Sequence, residues 1–158
     1  MPIVFSRIDD RLLHGQVVTT WIKEYQIEQC VVVNGQIFED TFQRQLLEMA
    51  APANMRVVFY SPQKFAEIAA ANPIKRRTML LFNNPADVLY LVEHGVDIQA
   101  LNIGGMKNDG KKRQLSAAVA VTDQDVATLQ KIADAGVEIT IRMVPQDKEL
   151  RFEKAIQN

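Results

Sequence analysis

From Ser6 to Val17 the chain reads Ser-Arg-Ile-Asp-Asp-Arg-Leu-Leu-His-Gly-Gln-Val, which places Arg7, Asp9, Asp10, Arg11 and His14 within one short segment. These residue types can do chemistry together. A neutral imidazole nitrogen is a nucleophile near neutral pH, and a neighbouring carboxylate can fix its tautomer. Arginine stays charged and grips phosphate through two donors. A loop that runs into a helix offers free backbone N–H groups to an anion, and Gly15 lets the backbone come close. Nucleophile, orienter, charge clamp and amide cradle add up to a phosphoryl acceptor. The plainer reading is capping and surface ion pairs, and the residues alone leave both open.

The loop needs elements to hold it. Ile3-Val4-Phe5 opens a strand ending near Ile8, and Val17, Val18, Trp21 and Ile22 recur at helical spacing up to Tyr25. Strands follow at Cys30–Val33, Arg56–Tyr60, Thr78–Phe82 and Ala100–Ile103, with a short one around Ala118–Val121 and a last at Val137–Met143. Helices are expected at Phe38–Met49, Gln63–Ala71, Ala86–His94, Asp123–Ala135 and, at the end, Lys148–Ile156. The strands are continuously apolar, the habit of parallel sheets covered on both faces. Alternation of strand and helix predicts a three-layer α/β/α fold with a mostly parallel central sheet of about six or seven strands. One domain over residues 1–158 is expected, with no repeat or linker.

Composition narrows the function. With 18 basic against 19 acidic residues the net charge is -1, which argues against a nucleic-acid-binding face. One cysteine cannot form an internal disulfide or a thiolate zinc cluster, and two histidines make a His-rich metal site a poor expectation. No metal and no cofactor is expected. Arg7 interrupts the first apolar run, so no secretory signal is expected, and no apolar run approaches the ~20 residues that span a bilayer. A cytosolic location follows as the expectation. His94 precedes Gly95 at an expected helix end, where a histidine suits the helix dipole and is read as structural.

The segment Arg7-Ile8-Asp9-Asp10-Arg11-Leu12-Leu13-His14-Gly15-Gln16-Val17 closely resembles the signature of the IIB component of the bacterial sugar phosphotransferase system, mannose/fructose/sorbose family. Trp21, Val31-Val32-Val33-Asn34, Leu46 to Pro52 and Asn102-Ile103-Gly104-Gly105-Met106 extend the resemblance over nearly the whole chain. It implies that His14 carries the phosphoryl group as a pros-phosphohistidine. It implies a IIA phosphohistidine as donor and a sugar carried by the membrane IIC and IID components as acceptor. Those partners would hold the chain at the membrane periphery, and a homodimer stays open. By the chemistry above, Arg7 and Arg11 would neutralise the phosphoryl group, Asp9 or Asp10 would orient the loop, and Gly15 and Gln16 would shape the cradle. Ser61, after the third strand, either caps the next helix or donates to the phosphoryl group.

The sequence departs from the family at Asn34-Gly35, where the family has Asn-Asp. The Lys107–Arg113 run is either a solvated loop or a face for an acidic partner or phosphate. Two other readings are weighed. A receiver-type domain would use Asp9-Asp10 as its acidic pair but finds only Ser61 and Asn83 where it needs Asp and Ser/Thr. An anion-binding module without covalent chemistry would lack both the P-loop and the dinucleotide-binding glycine pattern.

Overall fold

The apolar strands alternate between two cores. In β2 (Gln29–Val33), Val31 and Val33 enter one cluster while Cys30 and Val32 enter the other. β4 (Thr78–Phe82) divides the same way, with Leu80 and Phe82 on one face and Met79 and Leu81 on the other. A strand that is apolar at every position therefore has to be sandwiched. The computed structural model describes residues 2–157, with the side chains of Gln16 and Val17 outside the described residues.

In chain order the remaining elements are β1 (Ile3–Asp9), α1 (Gly15–Tyr25), α2 (Gly35–Phe38), α3 (Thr41–Ala50), β3 (Arg56–Tyr60), α4 (Pro62–Ala71), α5 (Pro85–Glu93), β5 (Ala100–Gly105), β6 (Arg113–Ser116), β7 (Val119–Val121), α6 (Asp123–Asp134), β8 (Glu138–Ile141), β9 (Leu150–Arg151) and α7 (Phe152–Ala155). Seven strands form one sheet in the order β3-β2-β4-β1-β5-β8-β9. Its pairs are parallel except β8 with β9, which run antiparallel. Val18 and Trp21 of α1, Ile37 of α2 and Leu47 of α3 pack on one face. Phe65 of α4, Leu91 of α5, Leu129 of α6 and Phe152 of α7 pack on the other. The expected three-layer α/β/α architecture with a mostly parallel sheet is the one observed.

Local structure differs from expectation in three places. The helix expected over Phe38–Met49 is two helices, because Asn34 caps α2 through the Ile37 N–H and Asp40 caps α3 through the Gln43 N–H. A carboxylate that accepts the first free amide starts a new helix rather than continuing an old one. The stripe Phe42, Leu46 and Met49 then points outward, at 69%, 50% and 81% exposure. Next, β6 is a strand beyond those expected, and it pairs with β7 in a separate antiparallel hairpin. Finally, the terminal helix expected over Lys148–Ile156 is shortened to α7, because Leu150 and Arg151 pair with Ile141 and Thr140 at the sheet edge.

β1 lies between β4 and β5 at the centre of the sheet. The chain leaves β1 through α1 on one face, and after β5 it reaches α6 on the other. Connections that part to opposite faces leave a crevice at the carboxyl ends of the strands, where α/β sheets bind ligands. The His14 loop and the Gly104-Gly105 end of β5 both lie there.

Candidate active site

The loop is anchored before it is charged. Leu12 and Leu13, each 3% exposed, plug into the core under α1. Each such burial contributes about 2 kcal/mol. That exceeds the cost, about 1–2 kcal/mol, of the left-handed backbone that Leu12 adopts at φ 55. The Leu12 N–H closes the turn by donating to the Asp9 carbonyl at 2.9 Å. His14 then takes the position before the first helical residue of α1 without capping it through its side chain. Gly15 follows at φ 47, a left-handed angle that favours glycine. The first amides of α1 have no acceptor within the helix and face the end where His14 stands.

Asp9, fully buried at the end of β1, organises the site. Its Oδ1 accepts the Arg11 N–H at 3.0 Å. Its Oδ2 accepts from Arg7 Nη2 at 3.0 Å and lies 2.8 Å from His14 Nε2. Burial pushes the Asp9 carboxyl up, but the His14 hydrogen bond, the Arg11 N–H and the Arg7 charge together hold it below the usual carboxylate range. An ionised Asp9 is acceptor-only, so the proton on Nε2 belongs to His14. The ring nitrogen left without the carboxylate is Nδ1.

The two arginines part company. Arg7 is 1% exposed and its guanidinium reaches Asp9, the Asn102 side chain and the Arg142 carbonyl. Its bonded donors point into the protein, and its charge faces Asp9. Arg11 has a half-exposed side chain with Nε 3.7 Å from Asp9 Oδ1, leaving its terminal nitrogens at the surface. A cleft of about 350 Å³ opens beside it, lined by Asp10, Arg11, Gly105, Met106, Lys107 and Gln114 among others. Asp10 does not face His14. Its carboxylate accepts the Lys107 N–H at 2.7 Å, and its own N–H donates to the Gly105 carbonyl at 3.1 Å. Asp10 therefore ties the first loop to the end of β5 and the segment that follows it.

Ser61 is not brought to the site. Its Oγ accepts the Lys64 N–H and caps α4. β3 is three strands from β1, a separation of ~14 Å at the usual spacing. Of the two roles expected for Ser61, the capping bond is the one observed. The side chain of Gln16 lies outside the described residues. The Lys107–Arg113 loop holds itself, with Lys111 N–H on Asp109 and Lys112 Nζ on the Lys107 carbonyl. His94 stacks on Tyr90 with ring centroids 3.8 Å apart, at the end of α5.

Four residues surround Arg7 without having been given a role from sequence. Asn102 could have been suspected, because an amide inside the apolar run Ala100-Leu101-Asn102-Ile103 demands a partner. Trp21 covers Arg7 from one side, and Arg142 packs on the same indole. Gly104 closes the other side. A Cβ there would stand 2.0 Å from the Arg7 Cζ, a distance no side chain survives. Gly104→Ala is therefore expected to cost about 1–3 kcal/mol or more, seen as a lower urea midpoint. An unchanged midpoint would mean that Arg7 has room to move.

Fold and loop together define an open α/β protein with a charged loop at the switch point of a mostly parallel sheet. Residues 3–158 match the family described as the PTS system sorbose subfamily IIB component, and the chain belongs to that family. It is a sorbose-type IIB component of a sugar phosphotransferase system, and such components are phosphotransferase subunits. It is 36% identical over 159 residues to the PTS system fructose-specific EIIB component of Bacillus subtilis (strain 168), covering 100% of this chain and 98% of that protein. It is 39% identical over 154 residues to the PTS system mannose-specific EIIAB component of Escherichia coli (strain K12), covering 96% of this chain but 47% of that longer protein. Among solved structures, the IIBSor domain of the sorbose permease from Klebsiella pneumoniae superposes with a TM-score of 0.93 at 38% identity, over 99% of this chain and 97% of that one. Among the described residues no helix is long and apolar enough to cross a membrane.

Proposed function

We propose that the chain acts as one IIB unit that takes a phosphoryl group onto Nδ1 of His14 and passes it to a sugar. The donor is a IIA phosphohistidine and the sugar is presented by membrane IIC and IID components, which would place the unit at the cytoplasmic face of the membrane. In the first step the Nδ1 lone pair attacks phosphorus and the P–N bond to the donor imidazole breaks. In the second a sugar hydroxyl oxygen attacks, the P–Nδ1 bond breaks, and the hydroxyl proton is released to a base or solvent. The observation that carries this reading is the 2.8 Å contact between Asp9 Oδ2 and His14 Nε2, which leaves Nδ1 as the available nucleophile. Arg11 and the first amides of α1 supply positive potential where the phosphoryl oxygens would sit. Positioning and charge account for most of the catalysis in phosphoryl transfer.

The receiver reading is disfavoured by the same carboxylate. Asp9 is fully buried and shared among Arg7, Arg11 and His14, so it is not free to serve in an acidic pair, and Ser61 stands where that reading needs an acceptor aspartate. The deciding experiment is incubation with phosphoenolpyruvate, the general phosphocarriers and a IIA protein, followed by intact mass and nitrogen NMR. One phosphoryl group is expected, lost in acid, kept in base and attached to Nδ1. A label that survives acid and leaves in base would be an acyl phosphate and would end the proposal. A label on Nε2 would reverse the assignment of the nucleophilic nitrogen.

A further inference from the structure

We infer that Asn102 is a positioning residue for His14, acting through Arg7 and Asp9. This rests on the reading of His14 as the phosphoryl acceptor and extends it to a residue that touches no reacting atom.

Asn102 sits on β5 beside Arg7 of β1, in register across the parallel pair, and is 5% exposed. Both ends of its amide are engaged. Oδ1 accepts from Arg7 Nη1, and Nδ2 donates to the Arg142 carbonyl at 3.0 Å. An amide held by a donor at one end and an acceptor at the other cannot flip without losing both. It therefore presents a fixed acceptor to Arg7. The plane of the Arg7 guanidinium depends on that acceptor. Among the described residues its Nε is buried without a hydrogen-bond partner, so only the two terminal nitrogens are tied. Nη2 is tied to Asp9, and Nη1 to Asn102, with a longer 3.4 Å contact to the Arg142 carbonyl. Trp21 fixes the height of the guanidinium but not its rotation, with Arg7 Cζ 5.5 Å from the ring. The indole is itself fixed by Nε1 donating to the Met143 carbonyl at 2.9 Å.

Asp9 Oδ2 is shared by Arg7 Nη2 and His14 Nε2. Rotation of Arg7 therefore changes the direction and strength with which Oδ2 holds the imidazole. Asn102 thus sets the fraction of His14 that carries its proton on Nε2 and keeps Nδ1 bare. A purely structural asparagine would alter stability and leave that fraction alone.

The NMR readouts use the unphosphorylated chain, so they do not depend on whether His14 is the acceptor. In the wild type, Arg7 side-chain NMR is expected to show distinct, slowly exchanging Nη1 and Nη2 protons, and His14 nitrogen shifts are expected to show one tautomer. Freely averaged Arg7 resonances would overturn the inference whether or not any variant folds. In Asn102→Ala and Asn102→Ser, the His14 shifts are expected to move towards a mixture of tautomers. Phosphoryl uptake is expected to fall by up to about a hundredfold, the scale of a small misplacement. A folded variant that keeps a single His14 tautomer and wild-type uptake would also overturn it. Failure of wild-type uptake with the tautomer effects intact would instead count against the phosphotransfer reading alone.

Discussion

His14→Ala is expected to take up no phosphoryl group while remaining folded. The imidazole is one-fifth exposed and, among the described residues, makes its polar contact with Asp9 alone. Its loss leaves Asp9 still neutralised by Arg7 and bonded to the Arg11 N–H. The position precedes α1 without a side-chain cap, so alanine removes no capping bond. The stability change is therefore expected to stay within about 1 kcal/mol, the ordinary range for a site without a buried network of its own. Gly15, the helix amides and Arg11 are untouched, so a module that merely bound anions would keep binding inorganic phosphate. Intact mass after the relay reaction, beside a urea titration, separates these cases. A phosphoryl group acquired at the wild-type rate by a folded His14→Ala protein would remove His14 from the mechanism.

Asp9→Asn is expected to damage both stability and transfer. Arg7 stays buried and charged with no carboxylate to face. Removing one partner of a buried ion pair costs about 3–5 kcal/mol. The new amide also loses the acceptor-only character that fixes His14. If its NH2 turns towards the ring, the proton must move to Nδ1 and the nucleophile is lost. A fall in phosphoryl uptake of about 10²–10⁴ is expected, the usual contribution of a well-placed proton-handling group. The acid limb of stability should change in a defined direction. The Asp9 carboxyl titrates below its usual value of 3.8 in the folded chain, so its contribution is complete above that value and is lost as pH falls through the lowered one. Urea midpoints of the wild type should therefore drop at low pH by more than those of Asp9→Asn. Parallel curves for the two proteins would mean that Asp9 is not the group responsible.

The sequence was most legible where burial is uniform. Strands such as Thr78–Phe82 are apolar at every position because both faces are covered, and their ends match the structure residue for residue. It was least legible where a local hydrogen bond overrides periodicity. Asp40 starts α3 inside a stretch whose apolar spacing looked continuous. Leu150 and Arg151 give two residues to the sheet edge that helical spacing assigned to a helix. In the site, the cluster from Arg7 to His14 was visible as charge beside a strand. The division of labour inside it was not, because the depth of a side chain depends on what packs over it. Arg7 and Arg11 differ by four positions, yet one lies under Gly104 and the indole while the other reaches solvent. Asn102 and Arg142, far along the chain, became part of the site only when β5 was laid beside β1 and β8 beside β5.

The tryptophan that lies against Arg7 is the only one in the chain. It is fully buried, stacked on Phe5 at 4.5 Å, and carries two guanidinium groups near its face. Its light emission therefore comes from a single environment at the back of the Arg7–Asp9 pair. The molecule contains its own optical gauge of that frame, readable in dilute solution without any label. A shift of the emission towards longer wavelength would mark water reaching the indole.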